Sequence, residues 1–220
     1  MDYEKESDNM AVNISAANSE ISNIESSCST INNYMETVEN NFSNGIQTIW
    51  NSPTANKVVT NVDNAINQIV NQVNKALFNN GGSSALEAVQ SAAEAIAKYN
   101  NGVTIRELAH KTVDTIEASW SGVEDGYNFP ELGFDMNGFL QENVITNLNN
   151  VVEELENIKG SMTSINSDIG GNYLDNAINS ISSTIEDING ESGIAAVQKS
   201  ISELAQQLDE DRKNMELKTN

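Results

Sequence analysis

Cysteine, histidine, proline, aromatic rings and positive charge are all scarce in this chain, and each scarcity removes a class of function. The lone cysteine, Cys28, rules out an internal disulfide framework and cannot build a thiolate zinc or iron–sulfur site. The lone histidine, His110, leaves Cys28/His110 as the one conceivable thiol–imidazole pair. Cys28 falls in an apolar seam, a poor setting for a reactive thiolate. Two prolines in 220 residues leave long stretches without a helix breaker, and 5% aromatic residues predict a thin core. With 32 acidic against 11 basic side chains the formal charge is -21, which repels phosphate backbones and anionic lipid surfaces. Nucleic acid is therefore excluded as a partner. No apolar run reaches the roughly 18–20 residues that span a bilayer, so stable membrane insertion is not expected. Met1-Asp2-Tyr3-Glu4-Lys5-Glu6 lacks the basic and apolar regions of a secretory signal, so the expectation is synthesis in the cytoplasm without a signal peptide.

What the chain does have is apolar spacing in alternating steps of three and four. Ile14, Ala17, Ile21, Ile24, Cys28, Ile31, Met35, Val38, Phe42, Gly45 and Ile49 form one such row, predicting a long helix with a narrow apolar seam. Trp50 ends it, and Asn51-Ser52-Pro53 reads as a turn whose serine caps the next helix and whose proline opens it. The return helix carries Ala55, Val59, Val62, Ile66, Ile69, Val73 and Leu77 on one face and stops at Asn79-Asn80-Gly81-Gly82. A shorter segment holds Leu86, Val89, Ala93 and Ile96, and a further one is predicted through Ile105, Leu108, Val113, Ile116 and Trp120. Residues 121–138 then gather Gly122, Gly126, Gly133, Gly138 and Pro130 with Tyr127, Phe129 and Phe134, which reads as an irregular loop packed by its own rings.

Beyond that loop a second strict row runs Val144, Leu148, Val151, Leu155, Ile158, Met162, Ile165, Ile169, a helix of about 30 residues starting near Gly138. Gly170-Gly171-Asn172 supplies a turn, and the chain returns through Leu174, Ile178, Ile181, Ile185 and Ile188 to a last segment with Val197, Ile201, Leu204 and Leu208. Asp63-Asn64-Ala65-Ile66-Asn67 recurs as Asp175-Asn176-Ala177-Ile178-Asn179, and Ala88-Val89-Gln90 as Ala196-Val197-Gln198. A repeat near 110 residues makes each half one unit of long helix, turn, return helix and short helix. The expected architecture is all-α: elongated helical hairpins with coiled-coil-like seams, forming a four-helix bundle from two repeated units. The expected divisions are a hairpin unit over 10–98 with the Trp50 turn, a short helix and aromatic/glycine loop over 99–138, a second hairpin unit over 139–212 and a frayed tail over 213–220. Such a hairpin buries only one stripe, so its seam asks for a cover, either the other hairpin or a helical partner as homo- or hetero-dimer.

Sites for chemistry are few. Glu153, Glu154 and Glu156, or Asp209, Glu210 and Asp211, cluster as carboxylates but lack the alternating oxygens and glycine turn of a Ca²⁺ loop, and read as solvated helix faces. Gly81-Gly82-Ser83-Ser84 lacks the lysine and spacing of a phosphate loop. No catalytic residue, metal or cofactor is expected, and the chain reads as non-enzymatic.

The tryptophans carry the remaining pattern. Trp120-Ser121-Gly122 is a literal Trp-x-Gly, and Trp50-Asn51-Ser52 holds the same turn position between a long seam helix and an amphipathic return helix, with serine in place of glycine. In this the chain resembles the WXG superfamily of type VII secretion substrates, small acidic helical hairpins with that motif at the turn, and their longer LXG relatives. The resemblance covers residues 10–98 and reaches the second half only through the repeat. It implies secretion or cell-surface display through a type VII system, and a helical partner protein such as a toxin or a secretion component. The family's export signal, Tyr-x-x-x-Asp/Glu, is matched by Tyr127 and Glu131, beside Pro130. The length exceeds that of a standard member and implies a tandem or helper form. A structural coiled-coil adaptor or phage component is the alternative reading, and a helical pore-forming toxin the third.

Overall fold

A computed structural model describes residues 12–44, 46, 49–50, 52, 55–78, 83–100, 102–109, 113 and 129–219. Among them the chain is all-α, with no strand. The helices are α1 (Ile14–Glu39), α2 (Ala55–Leu77), α3 (Ala85–Tyr99), α4 (Met136–Leu140), α5 (Thr146–Asp168), α6 (Asp175–Asn189) and α7 (Ile194–Thr219). A π-helical turn, Asn40–Asn44, extends α1, and another, Gln141–Ile145, joins α4 to α5 without a break. The second long helix thus begins at Met136, two residues before the glycine expected to start it, because the Asp135 carboxylate accepts the Gly138 N–H at 2.9 Å and caps it. At 1.5 Å per residue, the stretch from Met136 to Asp168 is about 50 Å long.

Local chemistry sets the helix ends. Asn13 caps α1 by accepting the Ala16 N–H at 3.1 Å. Ser84 and Glu87 form a reciprocal capping box at α3. At the end of α5, Gly170 takes φ +67°, a conformation that disfavours any side chain, and the Gly171 N–H donates to Asn166 O at 3.0 Å in a Schellman closure. Gly193 answers a different need, since a Cβ there would run into the carbonyl of Ile188.

The long helices cover each other. The seam side chains Ile21, Ile24, Ile31, Met35, Val38 and Phe42 are buried, as are Leu148, Leu155, Ile158, Met162 and Ile165 of the second row. α1 packs most extensively against α5, and the two run antiparallel: the Asn13 N–H donates to Asp168 O at 2.8 Å at one end, and the two π turns touch at the other. α2 packs chiefly on α7 and also on α6, while α3 touches α6. The packing therefore crosses the expected division between 10–98 and 139–212. The first long helix finds its cover in the second half of the chain and not in its own return helix.

Residues 99–138 depart from expectation. α3 runs to Tyr99, but 103–109 and Val113 hold no helix, whereas a helix was predicted through Ile105, Leu108 and Val113. Those three side chains are buried all the same. The physical reason lies in their backbone partners: the Arg106 N–H donates to Asn18 Oδ1 at 2.9 Å and the Ala109 N–H to Glu25 Oε1 at 3.1 Å. Asn74 of α2 holds Val113 from both sides, accepting its N–H at 2.8 Å and donating to its carbonyl at 2.9 Å. With side chains of α1 and α2 taking these N–H groups, and Thr104 Oγ1 donating to Ala93 O at 2.7 Å and to Ile105 O at 2.9 Å, the described part of the segment lies as a strap. Ile116 falls outside the described residues.

Because each long helix covers the other, equilibrium unfolding in urea is expected as one cooperative transition seen alike by circular dichroism and by Trp50 fluorescence. Ile158→Ala should cost about 2–5 kcal/mol, lowering that single midpoint. Two separated transitions would show that the halves fold as independent hairpins.

Candidate functional site: the Trp50 turn and the end it closes

Trp50 still belongs to the first long helix by its backbone, for its N–H donates to Ile46 O at 2.7 Å. Its side chain is fully buried. The indole Nε1–H finds no hydrogen-bond acceptor among the described residues. A buried, unmet N–H costs about 1–3 kcal/mol, so the ring is retained for its apolar bulk, which far outweighs that cost. Ser52 is buried as well, and its Oγ accepts the Ala55 N–H at 3.2 Å, performing the predicted cap of α2. The same hydroxyl donates to the Asp211 carboxylate near the tail of α7, 159 residues away. Asn51 and Pro53 fall outside the described residues.

The next residue along α7, Arg212, donates to Pro130 O at 3.2 Å and to Glu131 O at 3.3 Å. Consecutive residues of one helix thus tie the Trp50 turn to the loop that carries Glu131. That loop is pinned on its other side by Phe134 against Phe139, with ring centroids 5.8 Å apart. Tyr127, Trp120, Gly122 and His110 lie outside the described residues. The 213–220 tail is helical through Thr219 where fraying was expected.

This end also carries exposed apolar side chains. Leu132 is 89% exposed and Leu217 77% exposed. Phe129, Pro130, Leu132, Arg212, Met215 and Glu216 line a shallow depression of about 260 Å³ between the loop and α7. The long seams, in contrast, offer nothing to a partner because they are buried within the chain. A second depression of about 540 Å³ lies between α1 and α5, lined by serines, Gly160, Glu20 and Glu156. Among the described residues no group of three or more His, Cys, Asp or Glu is placed to hold a metal ion. No helix built from them is long and apolar enough to cross a membrane.

The strap contributes the most pronounced electrostatic feature among the described residues. The Arg106 guanidinium forks onto the Glu25 carboxylate at 2.8 and 2.7 Å and reaches Ser22 Oγ at 2.8 Å. The hydrogen bond from Arg106 holds the Glu25 carboxyl below its ordinary 4.5, opposed by burial and helped by the Ala109 N–H. The same pair raises the pKa of Arg106. An ion pair this exposed contributes ~1 kcal/mol or less, whereas burying Ile105, Leu108 and Val113 contributes about 1.5–3 kcal/mol each. Apolar burial therefore anchors the strap, and the ion pair fixes where along α1 it sits.

Comparison with protein-family models, curated proteins and solved structures finds no match for this chain.

Replacing Trp50 separates its bulk from its N–H. Trp50→Ala should cost about 3–5 kcal/mol in urea titrations, while Trp50→Phe, which discards the unmet donor, should stay within about 1.5 kcal/mol of the parent. Since Glu25 has a depressed folded pKa, its contribution is full above 4.5 and lost as pH falls through the lower folded value. Protection of the Ala109 amide, which donates to Glu25, should accordingly drop as pH falls below 4.5. In Glu25→Gln that drop should be absent.

Proposed function

We propose that this chain is a non-enzymatic helical protein that serves as substrate or helper of a type VII secretion system and acts by association with a helical partner protein. The observation that carries this reading is the convergence at one end of the bundle. The Trp50 turn and Glu131, the two described elements of the resemblance to WXG proteins, are joined there by Asp211 and Arg212. The exposed Leu132 and Leu217 lie on the same loop and helix and offer a partner helix an apolar footing. Because the seams cover each other, a partner docks at this end and not along the rods.

The reading includes two related halves. It is supported by the reciprocal packing in which α2 lies on α7 and α3 on α6, the positions that a repeat mapping α2 to α6 and α3 to α7 would exchange. The acidity is compatible with a basic or neutral partner face and opposes self-association.

Export is tested in the source bacterium by deleting the ATPase of the secretion system. The protein should disappear from the culture medium and accumulate in the cells, and an undiminished extracellular amount would remove the export claim. Leu132→Asp with Leu217→Asp, both at exposed positions, should leave the urea midpoint unchanged while reducing export severalfold.

A further inference from the structure

Where α1 and α5 run side by side, a solvent-open trough of about 540 Å³ separates their polar faces. Ser27 lines this trough at 9% exposure, and its hydroxyl has no hydrogen-bond partner among the described residues. Ser19, Ser22 and Thr30 of the same helix each donate to the carbonyl four residues before them, and Ser27 does not. A hydroxyl that is nine-tenths buried, unpaired and on the wall of a trough calls for a partner from outside the chain. On the facing wall Gly160 sits inside α5, where glycine weakens a helix relative to alanine. A Cβ at Gly160 would meet nothing within 4 Å, so packing within the chain does not ask for glycine, and the bare backbone leaves the trough open at its middle.

Charge decides which ligand fits. Counted from the backbone bond between Asn13 and Asp168, Glu20 lies seven residues along α1 and Glu156 twelve residues back along α5. At 1.5 Å per residue they stand about 8 Å apart along the trough, and because helical side chains lean toward their own N-terminus the two carboxylates splay further. Glu20 lends Oε2 to the Asn23 amide at 3.1 Å and Glu156 is shared with Lys159 at 2.5 Å, which leaves lone pairs on both carboxylates. The trough thus offers a carboxylate at each end and hydroxyl oxygens between, in a chain of net charge -21. We propose that it binds a linear polyamine, with one ammonium at each carboxylate, an inner N–H donating to Ser27 Oγ and the methylenes lying over Gly160. The site stands apart from the export reading, since it uses a different face and different residues.

The test is calorimetric titration of the full chain with spermidine in about 0.15 M salt, which screens diffuse attraction. Saturable one-to-one binding is expected, with amide shifts in heteronuclear NMR confined to 20–27 and 156–164. Gly160→Leu fills the trough without changing charge and should weaken binding at least tenfold with helicity retained. Ser164→Leu, at an exposed position on the same wall, repeats the blockade should Gly160→Leu perturb the helix. Glu20→Gln and Ser27→Ala should each weaken binding severalfold, whereas Glu203→Gln on α7, which removes the same charge elsewhere, should change it less than about twofold. Absent or non-saturable binding would overturn the proposal, as would undiminished affinity in a folded, blocked variant. Equal losses from Glu20→Gln and Glu203→Gln, or shifts spread over every acidic face, would overturn it too, because either makes the attraction a property of net charge alone.

Discussion

Two long apolar stripes, one on α1 and one on α5, press against each other along antiparallel helices, and the rest of the architecture follows from that pairing. An amphipathic helix of this length is held by what covers its stripe far more than by its own propensity. Here the cover is drawn from the opposite half of the chain. Residues around 14–39 and 146–168 must find each other across more than a hundred intervening positions, and α2, α3, α6 and α7 close around the pair. Hairpins that would each have needed a partner become a bundle that supplies its own.

That closure moves the candidate interaction surface. With the seams spent inside, apolar area is left at the end where the Trp50 turn, the 129–135 loop and the tail of α7 meet. Trp50 itself is out of reach of any partner, and its role there is to fill the end of the bundle and hold the turn. On the proposed reading, recognition falls instead to the exposed Leu132 and Leu217 and to the loop that carries Glu131. The strap is bound into the fold by side chains of α1 and α2 and by one arginine.

Much of the helical framework was legible because spacing in threes and fours reports a buried stripe directly, and Ser52, Gly170 and Asn172 marked turns through known capping and left-handed preferences. The strap was not legible. Ile105, Leu108 and Val113 fall close enough to helical spacing to imitate a helix, while the residues that decide otherwise, Asn18, Glu25 and Asn74, lie far away in sequence and look like ordinary solvated helix positions. The same holds for the bond from Ser52 to Asp211, which nothing local announces. The π turns were missed because a single widened turn leaves the apolar period nearly intact, and Phe42 and Val144 remain buried through them.

The pairing of the two long helices within one chain is open to a direct check. Asn13 and Asp168 are joined backbone to backbone at 2.8 Å, so Asn13→Cys with Asp168→Cys in a Cys28→Ala background brings two thiols together at the shared end of α1 and α5. Mild oxidation of dilute protein should form an intrachain disulfide, read as a faster-migrating monomer on a non-reducing gel. Free thiols, or a product made only of crosslinked dimers, would contradict the pairing on which the structure depends.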